Sequence, residues 1–457
     1  MPAGLVLLRY FGIADQEFGP IEGLILAIGA MLLAAGATFS FGRPKHWLGL
    51  SWGHVWKAGG ALIALACLLT VAVALLSARM SLDPMRMLCL VTLPTLTGIF
   101  SVLMIFLSRT PRTNLAIVAI LIVSAELFSA LILGVQKIMP SQEDVAGQVA
   151  AVISPVLKNY VRNDPDLGYA AIPDNVQRAV KLRGDATVYD VTYTINDRGW
   201  RHTPQARDLN GTESFAAFFG DSYTFGEGVQ DRATLPAQFE QAAFGFRSYN
   251  FGFHGYGPQQ MLSALEHKDL PAIIREKRGI AVFTLIYGHD MRLTGEPVIH
   301  NSWGYNMPYY HLDGQGNVKQ NGTFTTGRPL SAFFLPLLRW SSTIKLLRIN
   351  LNSAETPDQY SLMAKVFGAA CRRFESLFNS QGCYVLIFPQ AKNSAEKALP
   401  YLRKEGVKVL NYVDLFRRSD SDDYYLAGDG HPTARAHKIV SERLAKDIAS
   451  GGHGLGE

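Results

Sequence analysis

The hydrophobic pattern divides the chain into two parts of different character. Up to about residue 135 apolar residues dominate, and four stretches are long enough to cross a bilayer as helices, at residues 23–41, 58–77, 87–107 and 115–135. A helix needs ~20 apolar residues to span a hydrocarbon layer ~30 Å thick. Four buried helices of a soluble protein would require unusually uniform apolarity on every face. We therefore predict an N-terminal four-helix transmembrane region at residues 1–140.

Lys and Arg residues near the span ends bear on the orientation of this region. The loops after the first and third spans carry five of them, and the opposite side carries four. Because cytoplasmic loops carry the excess of positive residues, we expect the C-terminal part outside the cytoplasm. Glu126 in the fourth span is a separate observation, since an acid inside a membrane is costly and often functional. The sequence names no partner for it.

Beyond residue 140 the pattern changes to that of a globular α/β protein. Residues 141–163 are interpreted as a linker, and residues 164–450 as a domain in which short apolar strands alternate with helical segments. Such alternation predicts a three-layer fold with a mostly parallel sheet covered by helices on both faces. The predicted strands are residues 186–195, 214–219, 247–251, 280–287, 383–388 and 407–411.

An irregular insert at residues 301–351 follows one of these strands. Its position after a carboxyl end places it near the edge where open α/β sheets bind ligands. It contains a predicted hairpin around Asp313 and an apolar, basic stretch at residues 331–348, which lies either on a bilayer surface or as an ordinary helix on the sheet. Its aromatic residues are Trp303, Tyr305, Tyr309, Tyr310 and Phe324.

Composition and charge remove some classes of function. The 457-residue chain has a net charge of +5 and no long basic run, so we expect no nucleic-acid partner. It has no CxxC motif and no cluster with zinc-ligand spacing, so we predict neither a metal nor a cofactor. Cys371 and Cys383 lie twelve residues apart. They form a disulfide if the domain is extracytoplasmic, and two buried thiols are the open alternative.

A serine between glycines carries the first chemical signal. Ser222 follows the predicted strand 214–219 in the segment Gly-Asp-Ser-Tyr-Thr-Phe-Gly, residues 220–226. Such a serine occupies a tight turn whose backbone can approach a substrate, but it attacks only if a base takes its proton.

Three further polar segments follow predicted strands or precede the last helix. Gly252 and His289 come after strand ends, where backbone amides and polar side chains can meet an oxyanion. Asp429 and His431 precede the predicted C-terminal helix and supply a base with a carboxylate to orient it. His254 and His437 are interpreted as packing or surface residues.

These segments, in this order, resemble the four signature blocks of SGNH/GDSL hydrolases, and the resemblance covers about residues 160–450. Segments near residues 167–169 and 196–199 are similar to the lead-in of bacterial membrane-anchored members, which include envelope-polysaccharide esterases and O-acetyltransferases. The resemblance implies an SGNH domain that is held at the bacterial inner membrane and is periplasmic or otherwise extracytoplasmic. The blocks are residues 220–226, 250–257, 288–290 and 429–432.

The resemblance also implies roles for individual residues. Ser222 is the nucleophile and the first oxyanion amide, and Gly252 is the second oxyanion donor. His431 is the base and Asp429 its partner. His289 stands where the family has asparagine, and a ring there either donates to the oxyanion or titrates near neutral pH.

Some assignments stay open at the level of sequence. The family's carboxylate usually lies three residues before the histidine, where this chain has Gly428, so the Ser222–His431 dyad is firmer than the triad. The substrate-binding candidates are Asp221, Asp290 and Arg292. Asp290 is equally suited to hold its loop, and Arg292 to form a surface ion pair.

Three functions are consistent with this pattern. The first is a membrane-anchored serine acyl esterase that removes acetyl or similar ester groups from a cell-envelope glycan. The second is an O-acyltransferase that passes the same acyl group to a polysaccharide hydroxyl. The third is a non-catalytic glycan-binding domain. The expected partners are an acylated glycan or another ester and the lipid bilayer.

Overall fold

The computed structural model describes residues 160–205, 214–342, 356–389, 392–416 and 421–451, together with Glu126. The four predicted membrane spans lie outside these residues except for Glu126, and so does almost all of the predicted linker. Among the residues described, no helix combines the length and apolarity needed to cross a membrane. Residues 142–336 and 352–457 form one compact unit, and residues 1–141 and 337–351 are assigned to a second.

The larger unit is built on a five-stranded sheet in which all neighbouring strands are parallel, in the order β11-β10-β7-β5-β6. This confirms the predicted mostly parallel sheet, and each predicted strand in it is found within a few residues of its expected bounds. The strands are β5 (Ser214–Phe219), β6 (Phe246–Asn250), β7 (Arg278–Leu285), β10 (Asn379–Ile387) and β11 (Lys408–Asn411).

Strand β5 shows why the sheet is buried on both sides. Phe215, Ala217 and Phe219 pack into one apolar core, and Ala216 and Phe218 pack into the other. Side chains alternate between the faces of a strand, so a continuous apolar run requires helices on both faces. The first core is covered by α3 (Pro258–His267), α8 (Pro357–Leu377) and α9 (Lys392–Lys404), and the second by α2 (Leu235–Ala242) and α11 (Ala434–Ala449).

Antiparallel pairs of strands lie outside this sheet. Strand β4 (Ala186–Ile195) has its predicted bounds and pairs with β3 (Asn175–Arg183). The hairpin predicted around Asp313 is formed by β8 (Pro308–Leu312) and β9 (Val318–Thr323). The remaining strands and α-helices of the described residues are β1 (Val161–Asp164), β2 (Gly168–Ala171), α1 (Ser222–Phe225), α4 (His289–Thr294), α5 (Pro297–Ile299), α6 (Phe324–Gly327), α7 (Pro329–Trp340) and α10 (Ser421–Tyr424).

The described part of the apolar, basic stretch at residues 331–348 belongs to helix α7. Phe333 and Phe334 in this stretch are 64% and 55% exposed. Both alternatives for the stretch, a helix on a bilayer surface and a helix packed on the sheet, stay predictions.

Within the smaller unit, Glu126 has partners that the sequence did not indicate. Its carboxylate accepts hydrogen bonds from the Ser341 hydroxyl at 2.5 Å and from the Ser342 amide at 2.6 Å.

Cys371 and Cys383 form a disulfide between α8 and β10. The pairing resolves the alternatives left open for these two residues. The bond ties a helix of one outer layer to a strand of the sheet.

Candidate active site

Ser222 lies at the carboxyl edge of the central sheet, immediately after β5. The Asp221 carboxylate caps the short helix α1 by accepting from the Tyr223 amide at 3.0 Å. A Cβ at Gly220 would lie 2.0 Å from Oγ1 of Thr224, so the turn into this helix requires glycine. Gly226 ends the helix at a φ of 84°, a left-handed conformation that glycine adopts without strain. The local sequence therefore fixes a sharp turn with Ser222 at the first helical position.

His431 approaches Ser222 from the loop that leads into α11. Its Nε2 lies 2.8 Å from Oγ of Ser222, and its Nδ1 is hydrogen-bonded to Oδ1 of Asp429. The same Oδ1 accepts from the His431 amide at 3.0 Å. This backbone hydrogen bond folds the carboxylate back toward its own loop, which explains how an aspartate two residues before the histidine reaches the ring.

Lys181 extends this chain of contacts. Its ammonium on strand β3 is paired with Oδ2 of Asp429, a carboxylate whose side chain is fully buried. Each oxygen of Asp429 therefore has a charged or polar partner. Ser222, His431 and Asp429 come together in the arrangement of a nucleophile, a base and an orienting carboxylate.

The charges around His431 favour its protonated form. Burial lowers the pKa of His431, but the Glu227 charge and the hydrogen bond to Asp429 outweigh it and raise that pKa above its ordinary value. Burial likewise opposes ionisation of Asp429, yet His431 and Lys181 hold its pKa well below the usual range. Asp429 is thus a carboxylate at neutral pH, and its charge favours the protonated form of the His431 ring.

The Gly252 amide is already engaged in the structure. It donates to Oδ1 of Asn250 at 3.0 Å, because the asparagine at the end of β6 folds back onto the residue two positions ahead. The Asn250 Nδ2 donates to the carbonyl of Thr224 at 3.0 Å, which holds that side chain in place. The role of Gly252 as the second oxyanion donor stays a prediction. The oxyanion role of the Ser222 amide stays a prediction.

His289 is turned away from solvent and toward Asp221. Its Nε2 lies 3.7 Å from Oδ2 of Asp221, and its Nδ1 accepts weakly from the Ile286 amide at 3.5 Å. Burial lowers the pKa of His289, so the ring is neutral at neutral pH. These contacts place it beneath the turn that carries Ser222, and its role as an oxyanion donor stays a prediction.

The substrate-binding candidates are engaged within the protein. Arg292 Nη1 lies 2.7 Å from Oδ2 of Asp221 and 2.8 Å from the Tyr256 carbonyl. Burial raises the pKa of Asp221, but Arg292 and His289 outweigh it and hold that pKa well below its usual range. Asp290 is 3% exposed at the start of α4. Asp221 and Arg292 therefore form a buried ion pair, and the substrate-binding roles of Asp221, Asp290 and Arg292 stay predictions.

Sequence reasoning missed two residues at this site. Glu227, directly after the Ser222 block, has Oε2 at 3.4 Å from Nε2 of His431 and at 2.6 Å from Nδ1 of His254. Its place beside that block was the available signal. Lys181 is separated from Asp429 by 248 positions, and only the tertiary fold could reveal it.

One group of side chains in the described part of the chain has the proximity of metal ligands. Atoms of Glu227, Asp429 and His431 lie within 4.8 Å of one another. His431 already uses both ring nitrogens, toward Ser222 and Asp429, and Lys181 places a positive charge beside Asp429. We assign no metal site to these side chains.

The insert contributes exposed aromatic residues close to the second block. Trp303 Nε1 donates to the Gly255 carbonyl at 3.2 Å, and Trp303 and Tyr305 are 41% and 50% exposed. Tyr310 and Phe324 are buried instead and hold the insert to the domain. Only some of the predicted aromatic surface is therefore available to a ligand.

The sequence matches no protein-family model. It also matches no curated protein at a significant level. Among solved structures, the chain is similar to a lipolytic protein of the G-D-S-L family from Veillonella parvula, with 12% identity, a TM-score of 0.29, and coverage of 52% of this chain and 98% of that one. An acetyl xylan esterase from Butyrivibrio proteoclasticus gives 11% identity, a TM-score of 0.30, and coverage of 52% and 64%.

A carbohydrate esterase family 2 enzyme with a carbohydrate-binding domain, from Corynascus thermopiles, gives 12% identity, a TM-score of 0.30, and coverage of 60% and 75%. These similarities are distant. The functional assignment below rests on the geometry around Ser222.

Proposed function

We propose that the protein is a membrane-anchored serine acyl esterase that removes acetyl or similar ester groups from a cell-envelope glycan. The observation that carries this proposal is the hydrogen-bonded series Ser222, His431 and Asp429 at the carboxyl edge of a parallel sheet. Those three groups are the ones that nucleophilic ester cleavage needs.

The reaction proceeds in two steps. Oγ of Ser222 attacks the ester carbonyl carbon while its proton passes to Nε2 of His431, and that proton then leaves with the alcohol as the ester bond breaks. In the second step His431 takes a proton from water, which attacks the acyl group on Ser222. His431 then returns this proton to Oγ of Ser222 as the acyl C–O bond breaks, so the carboxylic acid departs and the serine hydroxyl is restored.

A glycan substrate and an extracytoplasmic site are supported by two observations. Trp303 and Tyr305 expose aromatic faces on the insert, where a sugar ring can stack. The Cys371–Cys383 disulfide fits an oxidising compartment such as the periplasm. The membrane anchor itself rests on the four apolar stretches before residue 136.

The test uses the full-length chain, purified in mild detergent and given p-nitrophenyl acetate with and without an acceptor oligosaccharide. We expect ester cleavage that Ser222→Ala abolishes. Ser441→Ala is the matched control, because this buried hydroxyl donates to the Leu235 carbonyl at 3.0 Å and not to the catalytic histidine. Cleavage that persists in Ser222→Ala would reject the proposal.

The acceptor decides between esterase and transferase. Release of the free acid at the same rate with and without acceptor supports the esterase, whereas acylated oligosaccharide that forms at the expense of the free acid indicates an O-acyltransferase. A reporter fused after Glu457 tests the proposed periplasmic side. Activity of a reporter that functions only in the cytoplasm would place the domain on the other side.

A further inference from the structure

A second carboxylate faces the imidazole of His431. Oε2 of Glu227 lies 3.4 Å from Nε2, the same nitrogen that meets Oγ of Ser222 at 2.8 Å. Asp429 is hydrogen-bonded to the opposite nitrogen, so the ring lies between two carboxylates. The side chains of Glu227 and His431 are each only 19% exposed, which limits the screening of their charges by water.

The Glu227 carboxylate is held by its own histidine. Nδ1 of His254 lies 2.6 Å from Oε2 of Glu227, and Nε2 of His254 is hydrogen-bonded to the Tyr160 hydroxyl. A carboxylate only accepts, so Nδ1 of His254 is the donor in its hydrogen bond to Glu227. His254 is therefore more than the packing residue expected from sequence.

The backbone around Glu227 is fixed from two sides. The buried Arg201 donates to the carbonyls of Phe225, Gly226 and Val229 at 3.3, 3.3 and 3.0 Å. From strand β4, the Tyr193 hydroxyl accepts from the Gly228 amide at 2.8 Å. A side chain supported in this way keeps its position while a proton moves next to it.

We propose that Glu227 is a positioning residue that acts through His431, by stabilising the imidazolium formed when Ser222 gives up its proton. This inference rests on the proposed function. The proton moves from Oγ to Nε2 as the bond from Oγ to the carbonyl carbon forms, and the positive charge then lies between Asp429 and Glu227. When the ester C–O bond breaks, the same proton leaves on the alcohol oxygen, so the step needs no further reactant.

Glu227 also lowers the fraction of His431 that is neutral at a given pH, and the neutral ring is the form that accepts the serine proton. A carboxylate near the lone pair of Nε2 favours the protonated ring, and the pKa of His431 is raised. The charged and titratable groups facing this ring or its carboxylates are Asp429 from its own loop, Asp221 and Tyr223 from the serine turn, Lys181 and Tyr189 from the β3–β4 hairpin, His437 from α11, and Glu227 with its partner His254.

The test is Glu227→Gln in the full-length protein, with kcat/KM for p-nitrophenyl acetate measured against pH. Glutamine keeps an oxygen that accepts from His254 and removes the charge. We expect the acid limb of this profile, the range in which kcat/KM rises with pH, to move down by about one pH unit, because His431 then loses its proton more readily. We also expect the plateau value of kcat to fall about tenfold. An unmoved limb with an unchanged kcat overturns the proposal.

Glu240→Gln is the matched control. Its buried carboxylate pairs with Arg247 at 2.9 Å on a different part of the sheet, so it should change stability and leave the limb in place. If Glu227→Gln does not fold, Glu227→Asp is the second variant to measure. This variant moves the carboxylate back by one methylene, so the acid limb should shift to lower pH by less than in Glu227→Gln. An acid limb that does not move, together with a wild-type kcat, counts against the role of Glu227.

Failure of this inference is distinguishable from failure of the proposed function. Activity that survives Ser222→Ala rejects the serine esterase itself. Activity that depends on Ser222 but keeps its acid limb in Glu227→Gln rejects only the role of Glu227. The pH dependence of Ser222 labelling by a fluorophosphonate reports the same limb without turnover, so a poor choice of ester does not block the test.

Discussion

Two carboxylate–histidine clusters meet at the turn that carries Ser222, and they differ in what balances the carboxylate. Around His431, two carboxylates face one imidazole, and the pKa of that histidine is raised. Around His289, the Asp221 carboxylate is paired with Arg292, and burial lowers the pKa of the histidine. The same residue types thus give a histidine whose protonated form is favoured in one cluster and a buried, neutral ring in the other.

Both histidines lie near Ser222, but they differ in burial and in the charges that face them. Asp221 and His289 are both fully buried, and the positive charge that neutralises Asp221 is Arg292. His431 is partly exposed, and its Nε2 is directed at the serine hydroxyl. The four predictions that follow test this contrast.

Exchanging each histidine for glutamine should give the largest difference in activity. His431→Gln removes the base, and we expect kcat/KM to fall about 10³–10⁴-fold. His289→Gln removes a ring that makes weak contacts beneath the site, so its kcat/KM should fall less than about tenfold. Steady-state assays with p-nitrophenyl acetate compare the two variants. A loss in His289→Gln as large as in His431→Gln would restore the oxyanion role predicted from sequence.

Asp221→Asn should lower the free energy of unfolding more than Asp429→Asn does. It leaves the Arg292 guanidinium without its buried counter-charge, which typically costs about 3–5 kcal/mol in the free energy of unfolding. Urea unfolding of both variants measures this, and Asp429→Asn should lose less stability but more activity. A double variant, Asp221→Leu with Arg292→Met, should recover most of the loss. Equal stability of Asp221→Asn and the wild type would mean that the ion pair contributes nothing.

The acid limb of the activity profile should reveal the raised pKa of His431. Activity requires the neutral ring, so kcat/KM should rise with pH through a value above ~6.5, the ordinary histidine pKa. Asp429→Asn removes a carboxylate that favours the protonated ring, and the limb should move to lower pH by about one unit. A pH series of kcat/KM on both proteins checks the direction, and movement to higher pH would contradict the assigned charges.

Lys181→Met should have the smallest effect on activity. Its shift of the acid limb should be opposite in direction to that of Asp429→Asn. The ammonium partly neutralises Asp429, so its removal strengthens the hold of that carboxylate on the imidazolium. The acid limb should then move up by a few tenths of a pH unit, with kcat within about threefold of the wild type. Lys319→Met is a suitable control, because this lysine pairs with Asp313 in the insert hairpin. A downward shift in Lys181→Met would mean that Lys181 acts mainly by holding Asp429 in position.

Much of the fold could be predicted because strand β5 and its neighbours in the sheet are short apolar runs with turns at their ends. Such runs fit only a sheet buried on both faces, and their order in the chain implied parallel pairing. The pairing of β3 with β4 was missed, since alternating polar strands do not identify their partner. The bounds of β6 and β7 moved by one or two residues for the same reason: hydrogen bonding to neighbours, and not local sequence, ends a strand.

The sequence by itself determined the sharp turn at Ser222, because Gly220 and Gly226 leave the backbone few other choices, and it named His431 and Asp429 through their place before a helix. Only the tertiary structure decided what the other charged residues do. No local pattern identified Asp221 as the partner of Arg292, or Asn250 as the partner of the Gly252 amide. Protonation depends on burial and on charges brought from distant positions, such as Lys181 beside Asp429, and these distances are set by the fold.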